Sequence, residues 1–300
     1  MKKTLITIFG PTAVGKTKFS ISLAKLLKCE IISCDSRQFY KELSIGTAVP
    51  SNEELKTIKH HCIQHKSITE NYTIKDFQKD AFETINYTFK TNDFIILVGG
   101  SGLYMDAIVN GLDEFPECDK KIRKNLNLNY KKNGIIYLQN KLKLLDPSYY
   151  GKVDIKNHRR LIRALEICIS TNKPYSSFIG KKKLKHNFNI LNFALEMNRD
   201  LLYKKINERV DYMILKGLVK EAKNLVDFKN TNALNTLGYK ELFRHFDGEC
   251  SLLESVNEIK KNTRRFAKRQ ITWLNANKAY KKINWNSNAS EIKKAYLDFK

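Results

Sequence analysis

The sequence predicts an α/β fold: a P-loop NTPase-like parallel sheet core with a helical insertion domain. Three observations lead there. A β-branched apolar run leads directly into a glycine-rich phosphate loop and then a helix. Further short apolar runs recur between helical stretches. The chain then turns helical and basic for some seventy residues before one more apolar run returns.

In chain order, Thr4 to Phe9 (TLITIF) has the composition of a buried strand. Gly10, Pro11, Thr12, Ala13, Val14, Gly15, Lys16 and Thr17 follow as G-x-x-x-x-G-K-T, and a helical pattern continues to Leu27 with Phe19, Leu23 and Leu26 on one side. Glu30 to Ser33 and Phe94 to Val98 are the second and third strands, with helices between and after them, the alternation of a parallel sheet covered on both faces. From 113 to 186 no strand is convincing, and the segment closes on the basic run at 181–185. Phe188 to Leu195 (FNILNFAL) then resumes the sheet. The predicted core is therefore 1–112 with 187–300, and 113–186 is a helical insertion. No internal repeat is present.

Composition narrows the function classes. With 300 residues, 42% hydrophobic and 28% charged, the chain can bury a sizeable core and is not a disordered or low-complexity sequence. The longest apolar run, Phe94 to Val98, is too short to span a membrane. Lys2 and Lys3 precede a short apolar stretch broken at Gly10-Pro11, unlike a secretory leader, so a cytoplasmic protein is expected. Six scattered cysteines with no C-x-x-C pair argue against zinc or disulfides. The net charge is +23, and residues 111–300 carry 40 basic against 20 acidic side chains. Such an excess in one part of the chain points to a polyanion; a lysine-rich solvated surface is the alternative reading.

Between a strand and a helix, the 10–17 loop is built for phosphate. Successive backbone N–H groups and the helix N-terminus face one anion, Lys16 adds a mobile charge, and the Thr17 hydroxyl can ligate Mg²⁺. Which phosphate it holds is not encoded there. A nucleotide hydrolase usually has a second strand ending in an Asp for the metal. Here the third strand runs instead into Gly99-Gly-Ser-Gly-Leu-Tyr104, where Ser101 and nearby amides could hold another part of a diphosphate. The alternative is a turn that needs glycine only for its backbone angles. Asp35 follows the second strand, where parallel sheets bind ligands, or else it caps a helix.

Together, GPTAVGKT, the DSRQ at 35–38, GGSGLY at 99–104, RRLIRALE at 159–166, LGYKE at 237–241 and TRRFAKRQITW at 263–273 resemble the tRNA dimethylallyltransferase family, across nearly the whole chain and in the right order. Ser101 stands where the family more often has Thr, and Arg159 where it often has Gln. Gln64, after His60-His61-Cys62-Ile63, breaks a family segment that usually ends in Asp, so no role is carried onto it.

The resemblance implies transfer of a dimethylallyl group from dimethylallyl diphosphate to the exocyclic amine of the adenosine just 3′ of the anticodon. It makes Lys16, Asp35, Ser101 and Arg209 catalytic, with the 10–17 loop on the leaving diphosphate, Mg²⁺ on Thr17 and no ATP consumed. Asp35 would be the base that accepts the amine proton, and Gln38 would read the edge of a flipped adenine. It assigns the tRNA anticodon stem-loop to Asp35, Ser36, Arg37, Gln38, Ser101, Arg123, the run Arg159, Arg160, Leu161, Ile162 and Arg163, and Lys268, Arg269 and Gln270. For Arg209, a surface salt bridge with Glu208 or Asp211 is the competing reading.

Periodicity places these basic residues on helices. From Asn157 to Ser170, Arg159 and Arg163 share one face while Leu161, Leu165 and Cys168 lie opposite; an Arg163–Glu166 salt bridge is the plainer alternative. Over 256–274, Ile259, Phe266, Ala267 and Leu274 form the expected buried stripe. Lys260, Lys261, Arg264, Arg265, Lys268 and Arg269 fill the other side, with no acid among the ten residues they span. His61 and His65 have metal-compatible spacing if helical, but no supporting ligand pattern. The competing functions are prenyl transfer to free adenine nucleotides, a small-molecule P-loop kinase, and an RNA-binding module with a vestigial loop. The first two have no need of the +20 excess, and decay would strike Lys16, Thr17, Asp35 and Ser101 first. A monomer is expected.

Overall fold

The computed structural model describes residues 3–180, 184–290 and 292, and divides into two compact units: 1–109 with 186–300, and 110–185. Residues 181–183 of the basic run lie outside the described residues.

The first unit is a six-stranded, all-parallel sheet in the order β3-β2-β4-β1-β5-β6. Its strands are β1 (Thr4–Phe9), β2 (Glu30–Ser33), β3 (His60–His61), β4 (Phe94–Gly99), β5 (Asn189–Glu196) and β6 (Lys281–Asn284). The four strands expected from sequence are the four central ones, while β3 and β6 are short, polar edge strands. Helices α1 (Lys16–Leu27), α2 (Asn52–Thr57), α3 (Ile74–Thr88) and α4 (Gly102–Val109) belong to the first half of this unit. The second unit holds α5 (Lys120–Leu145), α6 (Pro147–Tyr150) and α7 (His158–Thr171). Helices α8 (Arg199–Leu215), α9 (Leu218–Lys223), α10 (Tyr239–Phe246) and α11 (Leu252–Ala276) complete the first unit.

Strand alternation sorts the core into two layers. Leu5 and Phe9 of β1 point to the layer with Phe77 and Ala81 of α3 and Met105 of α4. Ile6 and Ile8 point to the layer with Phe19 and Leu23 of α1 and Leu202 and Ile206 of α8. On α1 the buried set is Phe19, Ser20, Ile21, Leu23 and Ala24; Leu26, expected on the buried side, is 39% exposed.

The second unit packs α5 against α7 around Leu126, Leu138, Leu142, Leu161, Ile162 and Leu165. Gly134 (φ 71°) breaks α5 into two segments at a backbone angle that only glycine adopts without strain. Asn157 caps α7 by accepting from the Arg160 N–H.

Candidate active site

Parallel strands end on the same side, so the loops after β1, β2 and β4 meet along one edge. The registers make that edge level: Phe9 lies opposite Gly99, and Ser33 opposite Val98. β1 sits where the chain changes direction across the sheet, with β2 and β4 on one side and β5 on the other, the position at which such sheets bind ligands. A cleft with about 350 Å³ of empty space, open to solvent, lies there. Lys16, Thr17, Ser33, Asp35, Gln38 and Gly99 are among the residues that line it, so three of the predicted motifs converge.

The first glycine loop has the shape its sequence predicts. Ala13 (φ 65°) and Gly15 (φ 102°) turn the backbone into the left-handed region before α1 begins at Lys16. Lys16 Nζ donates to the carbonyls of Gly10 and Pro11, both at 2.9 Å, folding back over the loop. Burial pulls its pKa down to about 8, the Asp35 carboxylate opposing and the Arg209 guanidinium adding to the fall. Arg209, half-buried on α8, is likewise lowered by burial and supported by Asp35. Lys16, Arg209 and Asp35 are thus near enough to feel one another's charge. The surface salt bridge considered for Arg209 is absent among the described ion pairs: Asp211 pairs with Lys260 at 2.5 Å instead.

Asp35 does not cap a helix. Its Oδ1 accepts from the Arg37 N–H at 3.0 Å, closing a turn beyond β2 that holds the carboxylate at the cleft. Arg37 reaches away to the carbonyls of Asn232 and Ala233. The Ser36 N–H lies 3.5 Å from Ser101 Oγ, which brings the DSRQ turn and the second glycine turn together.

The glycines of that second turn are not conformational. Gly99, Gly100 and Gly102 all lack positive φ. Each is instead a close approach: an added Cβ would stand 2.4 Å from the Cys34 carbonyl oxygen at 99, 2.3 Å from Gln270 Nε2 at 100 and 2.5 Å from the Trp273 ring at 102. The backbone-angle reading of GGSG is therefore replaced by a steric one, and two of the three neighbours belong to α11.

The Gly100 neighbour is Gln270, which the resemblance assigns to tRNA. Its side chain is buried, accepts from the Thr12 N–H at 2.9 Å and donates to the Gly100 carbonyl at 2.8 Å. Gln270 therefore ties the first glycine loop to the second. The buried stripe of α11 is Ser255, Ile259, Ala267, Gln270 and Leu274, and Phe266, expected in it, is only half-buried. Lys268, Arg269, Lys261 and Arg265 are exposed, whereas Lys260 pairs with Asp211 and Arg264 donates to Asn207 on α8. Lys261 meets Glu258 at 3.0 Å, so the cationic face is partly neutralised by acids that lie before it on α11 and on α8.

In the second unit Arg159 and Arg160 are exposed, whereas the Leu161 and Ile162 side chains lie in the core. The buried Glu166 carboxylate accepts from Arg123 Nε (3.0 Å) and Nη2 (2.8 Å) and from Arg163 Nη1 (2.9 Å). The Arg163–Glu166 bridge is thus formed, and Arg123 joins it. Against the upward push of burial, the hydrogen bonds from these two guanidinium groups hold Glu166 below its ordinary pKa. The Arg163 guanidinium also covers the Phe115 ring at 5.3 Å.

Comparison with known proteins decides the family. A profile described as IPP transferase matches residues 38–277. A tRNA dimethylallyltransferase of Flavobacterium johnsoniae is 53% identical over 296 residues, covering 97% of this chain and 96% of that one. The chain belongs to the IPP transferase family. Among solved structures, a tRNA isopentenylpyrophosphate transferase of Bacillus halodurans is 35% identical with a TM-score of 0.73, over 99% of this chain and 96% of that one. A eukaryotic dimethylallyltransferase acting on tRNA superposes with a TM-score of 0.83 at 26% identity, over 99% of this chain and 79% of that one. Two features go unread in the sequence pattern: the inward turn of Gln270 and the joining of Arg123 to the Arg163–Glu166 pair.

The oxygen donors at the cleft fit Mg²⁺. Thr17 and Asp35 both line it, and Mg²⁺ takes one or two protein oxygens, keeps waters and completes its shell with phosphate oxygens. No cluster of three His, Cys, Asp or Glu side chains suited to a metal occurs among the described residues. No described helix is long and apolar enough to cross a membrane.

Proposed function

We propose that the chain transfers a dimethylallyl group from dimethylallyl diphosphate to the N6 amine of the adenosine 3′-adjacent to the anticodon of a tRNA, releasing diphosphate. The carrying observation is the meeting of a carboxylate, Asp35, with Lys16 and Thr17 of the phosphate loop in one cleft, close enough to Arg209 for its charge to be felt by Lys16 and Asp35. Cleavage of the carbon–oxygen bond leaves charge on the diphosphate. The amides of the 10–17 loop, Lys16 and Arg209 stabilise that charge where it grows. Lys16 leaves the Gly10 and Pro11 carbonyls to do so, and the incoming anion restores its proton affinity. When bound, Mg²⁺ on Thr17 would supply further neutralisation of the leaving group.

The adenine amine is a weak nucleophile because its lone pair is delocalised. As the carbon–nitrogen bond forms, Asp35 accepts the departing proton, a contribution on the order of 10²–10⁴-fold. The adenosine leaves its stack to reach the cleft. Arg159 and Arg160 of the second unit and Lys268 and Arg269 on α11 of the first offer the exposed cations that RNA phosphates need. With labelled dimethylallyl diphosphate and Mg²⁺, label should pass to unmodified tRNA in preference to AMP. Asp35→Ala should bind tRNA normally and lose most turnover. Label passing chiefly to AMP, or phosphorylation of a small molecule by ATP, would replace this reading.

A further inference from the structure

The Gln38 side chain lines the cleft beside Asp35, and its hydrogen-bonding capacity is almost fully used. Nε2 donates to the carbonyls of Thr47 (3.2 Å) and Ala48 (3.0 Å), and Oε1 accepts from the Ser33 hydroxyl (2.9 Å). Carbonyls only accept, so they fix which end of the amide is nitrogen. Both amide hydrogens are taken, and one Oε1 lone pair is left. A base bound against Gln38 therefore meets an acceptor alone, which suits an amino hydrogen and repels a carbonyl oxygen.

The two loop carbonyls hold that position because residues 44–48 are clamped from behind. One carboxylate, Glu221 on α9, accepts from the N–H groups of Ser44 (3.3 Å), Ile45 (2.8 Å) and Gly46 (3.0 Å), and from the Tyr239 hydroxyl (2.6 Å). Four donors converge on it, a set that only a carboxylate satisfies, since an amide there would turn its own N–H groups toward one of them. Tyr239 is fully buried, and a Cβ on Gly46 would stand 2.6 Å from its ring, so ring and loop are in direct contact. Ala48 carries φ +48°, a left-handed angle that a non-glycine residue keeps only where its surroundings impose it. Tyr239 belongs to the LGYKE stretch, for which the transfer chemistry has no direct use.

We infer that Glu221, braced by Tyr239, is a positioning residue that makes Gln38 a one-sided reader, offering only a carbonyl oxygen to the exocyclic amine of the acceptor base. The inference rests on the prenyl-transfer reading above. The experiment measures prenylation of an anticodon stem-loop containing adenosine at the reacting position while a stem-loop carrying purine ribonucleoside there, which lacks the amine and can only bind, acts as a competitive inhibitor; the preference is the ratio of its inhibition constant to the KM of the adenosine loop. Wild type should favour adenosine. Glu221→Ala should reduce that preference by about tenfold, the worth of one well-placed hydrogen bond, with the KM for dimethylallyl diphosphate within about twofold of wild type. Adding Gln38→Ala to Glu221→Ala should cost no further preference. Tyr239→Phe, which removes one of four donors and keeps the ring, should lose about two- to threefold. Undiminished preference in Glu221→Ala and Tyr239→Phe, or additive losses with Gln38→Ala, would overturn the inference and leave prenyl transfer standing. A wild-type protein that prenylates no stem-loop would withdraw both.

Discussion

Removing Gln270 separates its role as a tie between two phosphate-site turns from the RNA contact assigned to it by sequence. In Gln270→Ala the Thr12 N–H loses its acceptor at 2.9 Å and the Gly100 carbonyl its donor at 2.8 Å, at a site only 5% exposed. Each hydrogen bond contributes about 0.5–1.5 kcal/mol, so the pair contributes about 1–3 kcal/mol. If that energy holds the loop ready for diphosphate, kcat/KM for dimethylallyl diphosphate falls by roughly 5- to 150-fold. Calorimetric titration of inorganic diphosphate with Mg²⁺ should show the same loss. Gln270→Glu keeps the acceptor for Thr12 but sets a second oxygen against the Gly100 carbonyl, and should be no better than alanine. Lys268→Ala, on the exposed side of the same helix, should weaken tRNA binding and leave diphosphate binding alone. Weakened tRNA binding by Gln270→Ala with unchanged diphosphate parameters would refute the reasoning.

The remaining predictions touch other parts of the site. Because Lys16 titrates near pH 8 in the free protein and diphosphate favours its charged form, kcat/KM for the diphosphate should fall about tenfold per pH unit above that point. The kcat should stay flat there, since the bound anion raises the lysine pKa; a flat kcat/KM up to about pH 10 would contradict the assignment. The tRNA affinity should drop by about 0.7–0.9 log units per log unit of salt for each phosphate neutralised, and Arg159→Ala with Arg160→Ala should reduce that slope. A slope unchanged in the double variant would remove α7 from the interface. Gly102→Ala places a methyl 2.5 Å from the Trp273 ring, which also packs on Phe9 at 4.4 Å, and should cost about 1–3 kcal/mol of stability in chemical denaturation. An unchanged midpoint would show that the contact can relax.

Legibility followed how local each signal was. β1, β2, β4 and β5 are rich in apolar and β-branched residues because both sheet faces are covered, whereas β3 is two histidines and β6 reads Lys-Lys-Ile-Asn, with nothing to separate them from loop. The phosphate loop carries its conformation in its own glycines and lysine. The second glycine turn does not: its glycines answer to Cys34, Gln270 and Trp273, which lie far away in sequence. Helical spacing places Gln270 with Ala267 and Leu274 on the buried stripe, but its amide reads as polar and its two partners lie 258 and 170 residues away. Leu161 and Ile162 stand within an arginine-rich run whose charges point outward, so assigning the run as a block overrode the apolar pattern. Arg209 has acids at neighbouring positions, and only the fold reveals that Asp211 turns to Lys260.

The central claim is tested most directly by nucleoside mass spectrometry. Purified protein, Mg²⁺, dimethylallyl diphosphate and unmodified tRNA would be incubated without ATP, and the digested product analysed and mapped to position. One adenosine, 3′ of the anticodon, should be heavier by a dimethylallyl group on N6. Unmodified adenosine at that position, or a product formed only when ATP is added, would contradict the claim.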